Sequence, residues 1–274
     1  KLLEQDVYRS WINVARTSQE MMWDAVGSSI DRQLGQLTKK ADIKEPRGSV
    51  TLNPGFEPPR YIASLDVHMM PGGYAHDRGE GDIRQGALMD RGGAIYMLGR
   101  NGGLMNDIRG QTTVQHLLEV YPDLEPKRFL ELGCGVGVST VAAASAFPEA
   151  EVYGVDVGGA VLRYAHARAE HLGQRVHFVQ GNAERTDFPD ESFDFVYSCA
   201  LLHETSKAAA RKIFLDGQPE HATMDAVAQQ AGMSKKTIYR EFKSQLELLA
   251  ALLAENVADM GEFPPPQPGA DFEI

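Results

Sequence analysis

Hydrophobic and polar residues along this chain follow two different periods, which divide it into regions. Near the start, apolar residues recur at helical spacing and predict an amphipathic helix over about residues 5–40. The apolar positions of this helix are Val7, Trp11, Val14, Met21 and Ala25. Prolines and glycines then interrupt the pattern, and no clear period follows before residue 110. We interpret residues 1–110 as a cap or lid region rather than an independent domain.

From residue 111, short apolar runs alternate with helical patterns. Such alternation predicts right-handed βαβ units and a parallel sheet. The predicted strands are residues 128–132, 151–155, 176–180 and 193–198, and the predicted helices are residues 114–121, 139–146 and 160–172. Four helical segments follow residue 205 without a further strand pattern. The predicted fold class is therefore α/β: a Rossmann-like sheet truncated after its fourth strand, an N-terminal helical and loop cap, and a C-terminal all-α bundle.

Composition and charge narrow the classes of function. Of 274 residues, 43% are hydrophobic and 24% are charged, as in soluble globular proteins. The net charge of −11 excludes a surface that coats nucleic acid, so any DNA contact must be a local patch. No apolar run reaches the roughly 20 residues of a membrane span. The two cysteines, Cys134 and Cys199, are too few for a disulfide framework and lie outside any metal-ligand cluster, which predicts a cytoplasmic protein without a metal site.

A glycine turn follows the first strand of the α/β region, in the stretch ELGCGVG. Its glycines, Gly133, Gly135 and Gly137, let the backbone approach a ligand, and the next helix begins with free N–H groups. The spacing is G-x-G-x-G rather than the G-x-G-x-x-G of dinucleotide binders. Asp156 ends the next strand, where a carboxylate can accept hydrogen bonds from both hydroxyls of a ribose. These features predict a nucleoside-binding site.

Together, these motifs resemble the class I S-adenosylmethionine-dependent methyltransferases of the small-molecule type, over about residues 111–205. The resemblance implies S-adenosylmethionine as cofactor, with Glu131 at its amino-acid end and Asp156 at its ribose. It also implies that Asn182 and Ala183 contact the adenine. The full set of implied cofactor-binding residues is Glu131, Gly133, Gly135, Gly137, Asp156, Val157, Asn182, Ala183 and Ser198. The family ordinarily continues with a helix and three more strands, and no pattern for these three strands precedes the next motif of this chain.

Methyl transfer needs few catalytic side chains, because the methyl group is already activated by the sulfonium charge. A general base is needed where the acceptor must lose a proton. His68, Tyr74 and His203 are candidates for this catalytic role, and the alternative is that they are surface or packing residues. The acceptor is predicted to be a small molecule of unspecified class.

A second motif lies in the stretch AGMSKKTIYREFK, which has the pattern of a helix-turn-helix. Gly232 ends one helix and Ser234 caps the next, which leaves several basic residues facing outward. The stretch resembles the DNA-binding domain of the TetR repressors, over about residues 213–254. The resemblance implies DNA contacts by Lys235, Lys236, Thr237, Tyr239 and Lys243. The alternative is a helix bundle with solvated lysines, and Gln218 and Pro219 depart from the family pattern of glycine followed by an aromatic residue.

The sequence thus predicts four regions: a cap (1–110), a methyltransferase core (111–206), a TetR-like helix-turn-helix (207–260) and a proline-rich tail (261–274). A helix over residues 207–214 suits both modules, which indicates a fusion joined near Ile213. One functional hypothesis is a small-molecule methyltransferase, impaired by truncation. The other is a DNA-binding regulator that binds S-adenosylmethionine. Self-association is expected through the unpaired fourth strand or the C-terminal helices.

Overall fold

The structure is a computed structural model, and it describes residues 5–64, 68–100 and 107–205. All of them belong to one compact unit, Lys1–Ala210. The helices are α1 (Asp6–Ala41), α2 (Arg60–Ser64), α3 (Arg84–Tyr96), α4 (Ile108–Val120), α5 (Val138–Ala146) and α6 (Gly159–His171). The strands are β1 (Ser49–Thr51), β2 (Arg128–Leu132), β3 (Glu151–Asp156), β4 (His177–Gln180) and β5 (Phe195–Ser198).

The five strands form one parallel sheet in the order β1-β4-β3-β2-β5. The predicted α/β class with a parallel sheet is therefore confirmed. Phe129, Val152 and Phe178, on the three inner strands, are buried in one cluster with residues of α5 and α6. Because the strands are parallel, their carboxyl ends meet at one edge of the sheet, where α/β proteins bind ligands.

The N-terminal region contributes a strand as well as helices. β1 pairs with β4, and the carboxylate of Glu170 on α6 fixes its approach by accepting hydrogen bonds from the backbone N–H groups of Arg47 (2.8 Å) and Gly48 (2.7 Å). The sequence predicts no strand in this region. That prediction is wrong because the pairing depends on contacts between residues more than a hundred positions apart, which a local pattern cannot show.

Helix α3 lies in the glycine-rich stretch for which no element is predicted. It packs between α1 and α6, and two of its glycines provide the close approach. A Cβ atom on Gly92 would lie 1.9 Å from Cζ3 of Trp23 on α1, and one on Gly86 would lie 2.2 Å from Cβ of Tyr164 on α6. The glycines thus serve helix packing, although they lower the intrinsic helix propensity of the segment.

β5 is an edge of the sheet within the described residues, since it pairs with β2 alone. Val196 on this strand is 50% exposed. A short 3₁₀ helix, Leu202–Glu204, follows β5, and no further strand follows within the described part of the chain. Association through this edge stays a prediction, which sedimentation of the full chain would measure.

The predicted helix-turn-helix and all five predicted DNA-contacting residues lie outside the described residues. Among the helices that the structure describes, none combines the length and the apolar composition that a bilayer span requires.

Candidate cofactor site

A cavity of about 370 Å³ opens at the carboxyl ends of the strands. Its walls come from the glycine turn after β2, the end of β3, the loop after β4 and the segment after β5. Apolar side chains from the N-terminal region close it on another side, among them Trp23, Met70 and Met89. The volume is within the range of roughly 300–1,000 Å³ that is typical of small-molecule sites.

The glycine turn is held against β3 by backbone hydrogen bonds. The N–H groups of Gly133 and Cys134 both donate to the carbonyl oxygen of Val155, at 2.8 and 3.0 Å. Gly133 and Gly135 have φ angles of +73° and +52°, in the left-handed region that favours glycine. A Cβ on Gly133 would lie 2.6 Å from Cδ1 of Leu201, and one on Gly135 would lie 2.7 Å from Cε of Met89. The turn is therefore a fixed backbone cradle at the cavity wall.

Asp156 connects this turn with the next strand. One of its carboxylate oxygens accepts the N–H of Gly135 at 2.9 Å, and the other accepts the N–H of Gly158 at 3.0 Å. Burial raises the pKa of Asp156, and these two backbone hydrogen bonds act in the opposite direction. Each carboxylate oxygen has two lone pairs, so the group can accept further hydrogen bonds from a ligand in the cavity.

Glu131 is a buried acid in the cavity wall, with 2% of its surface exposed. The hydroxyl of Thr140 donates a hydrogen bond to it at 2.5 Å. Burial raises the pKa of Glu131 to about 7, although the Thr140 hydrogen bond and the positive charge of Arg109 act in the opposite direction. A buried carboxylate is stabilised by a cation beside it, so this wall favours a ligand with a positive group.

The loop after β4 forms the third part of the wall. Asn182 and Ala183 line the cavity here, and the side-chain oxygen of Asn182 accepts the backbone N–H of Glu184 at 2.9 Å. The hydroxyl of Tyr61 on α2 donates to the carboxylate of Glu184 at 2.7 Å. This bond joins α2 to the loop, and it places Tyr61 and Ile62 in the same cavity as the Asn182 backbone.

The structure brings most of the predicted cofactor-binding residues together. Those that line the cavity are Glu131, Gly133, Gly135, Asp156, Val157, Asn182 and Ala183. Gly137 and Ser198 are not among the lining residues. Gly137 precedes α5 with its Cα facing the ring of Phe178, which an added Cβ would approach to 3.0 Å. Ser198 ends β5, and the next two residues, Cys199 and Ala200, line the cavity in its place.

The three predicted catalytic candidates also meet in this cavity, around an acid that the sequence does not single out. The carboxylate oxygen Oε1 of Glu204 lies 2.7 Å from Nε2 of His68 and 3.0 Å from Nε2 of His203. It also accepts a hydrogen bond from the hydroxyl of Tyr74 at 2.9 Å. Burial would raise the pKa of Glu204, but the hydrogen bonds and charges of the histidines outweigh burial and lower it. Glu204 is therefore ionised at neutral pH.

Two known families match different parts of the chain. The methyltransferase domain family matches residues 129–216, and the tetR family of bacterial regulatory proteins matches residues 208–252. The two matches overlap at residues 208–216, and most of this overlap falls in the helix predicted over residues 207–214 to suit both modules. Each match covers less than half of the chain.

Several known proteins are similar to part of this chain. A fatty-acid O-methyltransferase of Mycolicibacterium smegmatis is 34% identical over 32% of this chain and 31% of its own length. A malonyl-[acyl-carrier protein] O-methyltransferase of Halorhodospira halophila is 33% identical over 38% of this chain and 35% of its own length. The solved structure of the YcgJ protein of Bacillus subtilis has a TM-score of 0.33 at 28% identity, over 37% of this chain and 44% of that protein.

The chain thus spans about a third of the length of the two curated relatives. The methyltransferase domain match, residues 129–216, includes the glycine turn and the strand ends around the cavity, and S-adenosylmethionine is the cofactor of this domain. The chain joins a methyltransferase domain, over residues 129–216, to a tetR-family segment, over residues 208–252.

Proposed function

We propose that the chain is an S-adenosylmethionine-dependent methyltransferase that acts on a small molecule in the cytoplasm. The observation that carries the proposal is the placement of two acids, Asp156 and Glu131, at two points of one cavity on either side of the glycine turn. We infer that Asp156 accepts hydrogen bonds from the ribose hydroxyls and that Glu131 pairs with the ammonium of the amino-acid end. The free thiols of Cys134 and Cys199 suit a reducing compartment.

Bound S-adenosylmethionine supplies a methyl group on a positively charged sulfur. The residues of this chain position it: the cradle of Gly133 and Gly135 leaves room for the ligand backbone, and Asn182 and Ala183 border the position of the base. The apolar wall of Trp23, Met70 and Met89 excludes water from the reacting centre, which strengthens electrostatic interactions there. Catalysis then rests mainly on orientation and desolvation.

We infer that the acceptor reacts through an oxygen atom. Two of the curated relatives are named as O-methyltransferases, and the acceptor side of this cavity carries His68, His203 and Glu204. An acceptor hydroxyl or carboxylic acid loses its proton, its oxygen forms the new bond to the methyl carbon, and the carbon–sulfur bond breaks with its electron pair staying on sulfur. A histidine of this cluster is the proton acceptor.

The test is calorimetry followed by turnover, on the full chain. We expect one S-adenosylmethionine to bind per chain, and S-adenosylhomocysteine to form when a panel of small carboxylic acids and phenols is added. Glu149→Gln, a substitution of an exposed residue outside the cavity, is the control variant and should bind and turn over as the wild type does. If the folded chain binds no S-adenosylmethionine, the proposal is wrong.

A DNA-binding regulator is the second candidate, and the tetR-family match over residues 208–252 favours it. Four positive residues and one negative residue between Lys235 and Lys243 supply a local phosphate-binding patch in an acidic chain. Repressors of this kind read paired half-sites as dimers. A single copy is therefore expected to bind DNA in the non-specific range, on the order of 10⁻⁴–10⁻⁶ M at physiological salt.

We expect the double substitution Lys235→Glu and Lys236→Glu to abolish this DNA binding and to leave the affinity for S-adenosylmethionine unchanged. The matched control is Lys39→Glu with Lys40→Glu, which reverses two exposed charges at the end of α1. Fluorescence anisotropy with a mixed pool of duplexes measures the DNA affinity of both double variants, and calorimetry measures their affinity for S-adenosylmethionine. Tight, sequence-selective DNA binding would favour the regulator over the enzyme. The absence of DNA binding at low salt would contradict the hypothesis of a DNA-binding protein.

A further inference from the structure

The cluster of His68, His203 and Glu204 has the composition and the geometry of a metal site. We propose that these three side chains bind a divalent first-row transition-metal ion at the acceptor end of the cavity. The sequence predicts no metal site. His68 lies 135 positions before His203, so no local ligand spacing indicates the cluster.

The three ligand atoms converge on one point. Nε2 of His68 and Nε2 of His203 are 3.1 Å apart, and Oε1 of Glu204 lies 2.7 and 3.0 Å from them. Two imidazole nitrogens and one carboxylate oxygen this close together share either protons or a cation. A metal ion is able to bind all three atoms at once.

The separations also fit a particular coordination geometry. Ligands about 2.1 Å from a metal are about 3.0 Å apart along the edge of an octahedral face, and about 3.4 Å apart in a tetrahedron. The observed 2.7–3.1 Å agree with the octahedral face. Two imidazoles and one carboxylate on one face leave the remaining positions to water or a ligand. The donor set suits borderline ions such as Zn²⁺, Fe²⁺ and Co²⁺ more than Mg²⁺ or Ca²⁺, which prefer oxygen ligands.

The surrounding contacts hold the three ligands in place. The backbone carbonyl of His68 accepts hydrogen bonds from the side chains of Gln19 (2.6 Å) and Trp23 (2.7 Å) on α1. The hydroxyl of Tyr74 donates to the ligand oxygen of Glu204 at 2.9 Å. The first two bonds fix the backbone of His68, and the third is a hydrogen bond to a ligating group, of the kind that orients a ligand and raises metal affinity.

The backbone on both sides of the cluster is strained. Met69, directly after His68, has a φ angle of +55°, and Ala200, shortly before His203, has a φ angle of +56°. Non-glycine residues avoid this region unless surrounding contacts impose it, and such residues cluster at functional sites. The two segments that bring the ligands together are therefore both held in conformations that cost free energy.

The position of the site suggests its use, and this step rests on the proposed function. The cluster and seven of the nine predicted cofactor-binding residues line one cavity. With both histidines bound to it, an ion in this position would replace the histidine base: it would coordinate the acceptor oxygen and lower the pKa of an acceptor hydroxyl, whose proton would then pass to water. The acceptor would then combine an oxygen anchor with an apolar body against Trp23 and Met70.

Cobalt titration of the full chain tests the site without the methyl donor. The protein carries no histidine tag and is stripped of metal by a chelator, and Co²⁺ binding is followed by visible absorption and by calorimetry. We expect one equivalent to bind, with the weak absorption bands of six-coordinate cobalt. His68→Ala and His203→Ala should each weaken binding by more than about 100-fold, and Tyr74→Phe by about tenfold. His116→Ala, an exposed histidine on α4 outside the cavity, should change nothing.

Thermal unfolding of the same variants shows whether each one is folded, and calorimetry with S-adenosylmethionine shows whether the methyl-donor site is intact. Absence of stoichiometric Co²⁺ binding by the folded wild type overturns the metal site. Co²⁺ affinity in His68→Ala and His203→Ala equal to that of the wild type also overturns it. Co²⁺ binding without S-adenosylmethionine binding leaves the metal site in place and overturns the proposed function. If Tyr74→Phe alone leaves Co²⁺ affinity unchanged, the ion is held by the histidines through an arrangement other than the observed one, and the proposed geometry is wrong.

Discussion

Replacement of Asp156 by alanine is expected to weaken S-adenosylmethionine binding by about 10²–10⁴-fold. The carboxylate would lose two charge-assisted hydrogen bonds to the ribose, each worth about 1.5–3 kcal/mol, and every 1.4 kcal/mol changes affinity tenfold. The same change removes the acceptors for the N–H groups of Gly135 and Gly158, which loosens the glycine turn. Calorimetric titration of the folded variant measures the loss.

Asp156→Asn separates the two contributions. It keeps the shape of the side chain and one oxygen acceptor, so its affinity should fall between those of the wild type and the alanine variant. Asp190→Ala removes an exposed acid outside the cavity and should bind as the wild type does. Unchanged affinity in Asp156→Ala would remove the assignment of this residue to the ribose.

The sequence predicts the central sheet well because its strands carry their own signals. β2 matches its predicted bounds, since an apolar run bounded by a glycine turn is a strong local pattern. β3 differs from its predicted bounds by one residue at its end, and α6 is shifted by one residue at both ends. In these elements the local pattern and the tertiary contacts favour the same structure, which is the condition under which a sequence pattern is reliable.

The N-terminal region shows why the rest could not be predicted. β1 has three residues and gains its structure by pairing with β4. α3 contains glycines, and the lack of a Cβ atom at these positions leaves room for Trp23 and Tyr164. The glycines that permit this packing also interrupt the apolar pattern by which a helix is predicted. In both elements, contacts between distant residues override the local propensity.

The same distinction applies to the cavity. Asp156 and the glycines occupy positions set by one strand and one turn, and they can be located from the sequence. Glu204 faces His68 and Tyr74 across more than a hundred positions, and only the fold brings them together. The sequence signal for this acid is its place directly after His203, in the segment that follows the last described strand.

Affinity for S-adenosylmethionine is also expected to depend on the protonation of Glu131. Burial raises the pKa of this acid to about 7, so it is largely neutral below that pH and largely ionised above it. The ionised form pairs with the ammonium of the ligand, and the neutral form does not. Each pH unit below 7 should therefore weaken binding about tenfold. Above about pH 8 the ammonium itself loses its proton, since an α-amino group has a pKa of about 7.7–8.0, and affinity should fall again.

Glu131→Gln tests this assignment, because glutamine keeps an oxygen acceptor for Thr140 but cannot ionise. Calorimetry between pH 5.5 and 8.5 (a range of about three units) should show weaker binding by the variant at pH 7.5, and no acid-side decline centred near 7. A residual decline at lower pH would belong to Asp156, whose pKa burial also raises, and Asp156→Asn should remove it. If Glu131→Gln keeps the same decline near pH 7, another group controls the binding of the ammonium, and Glu131 does not contact it.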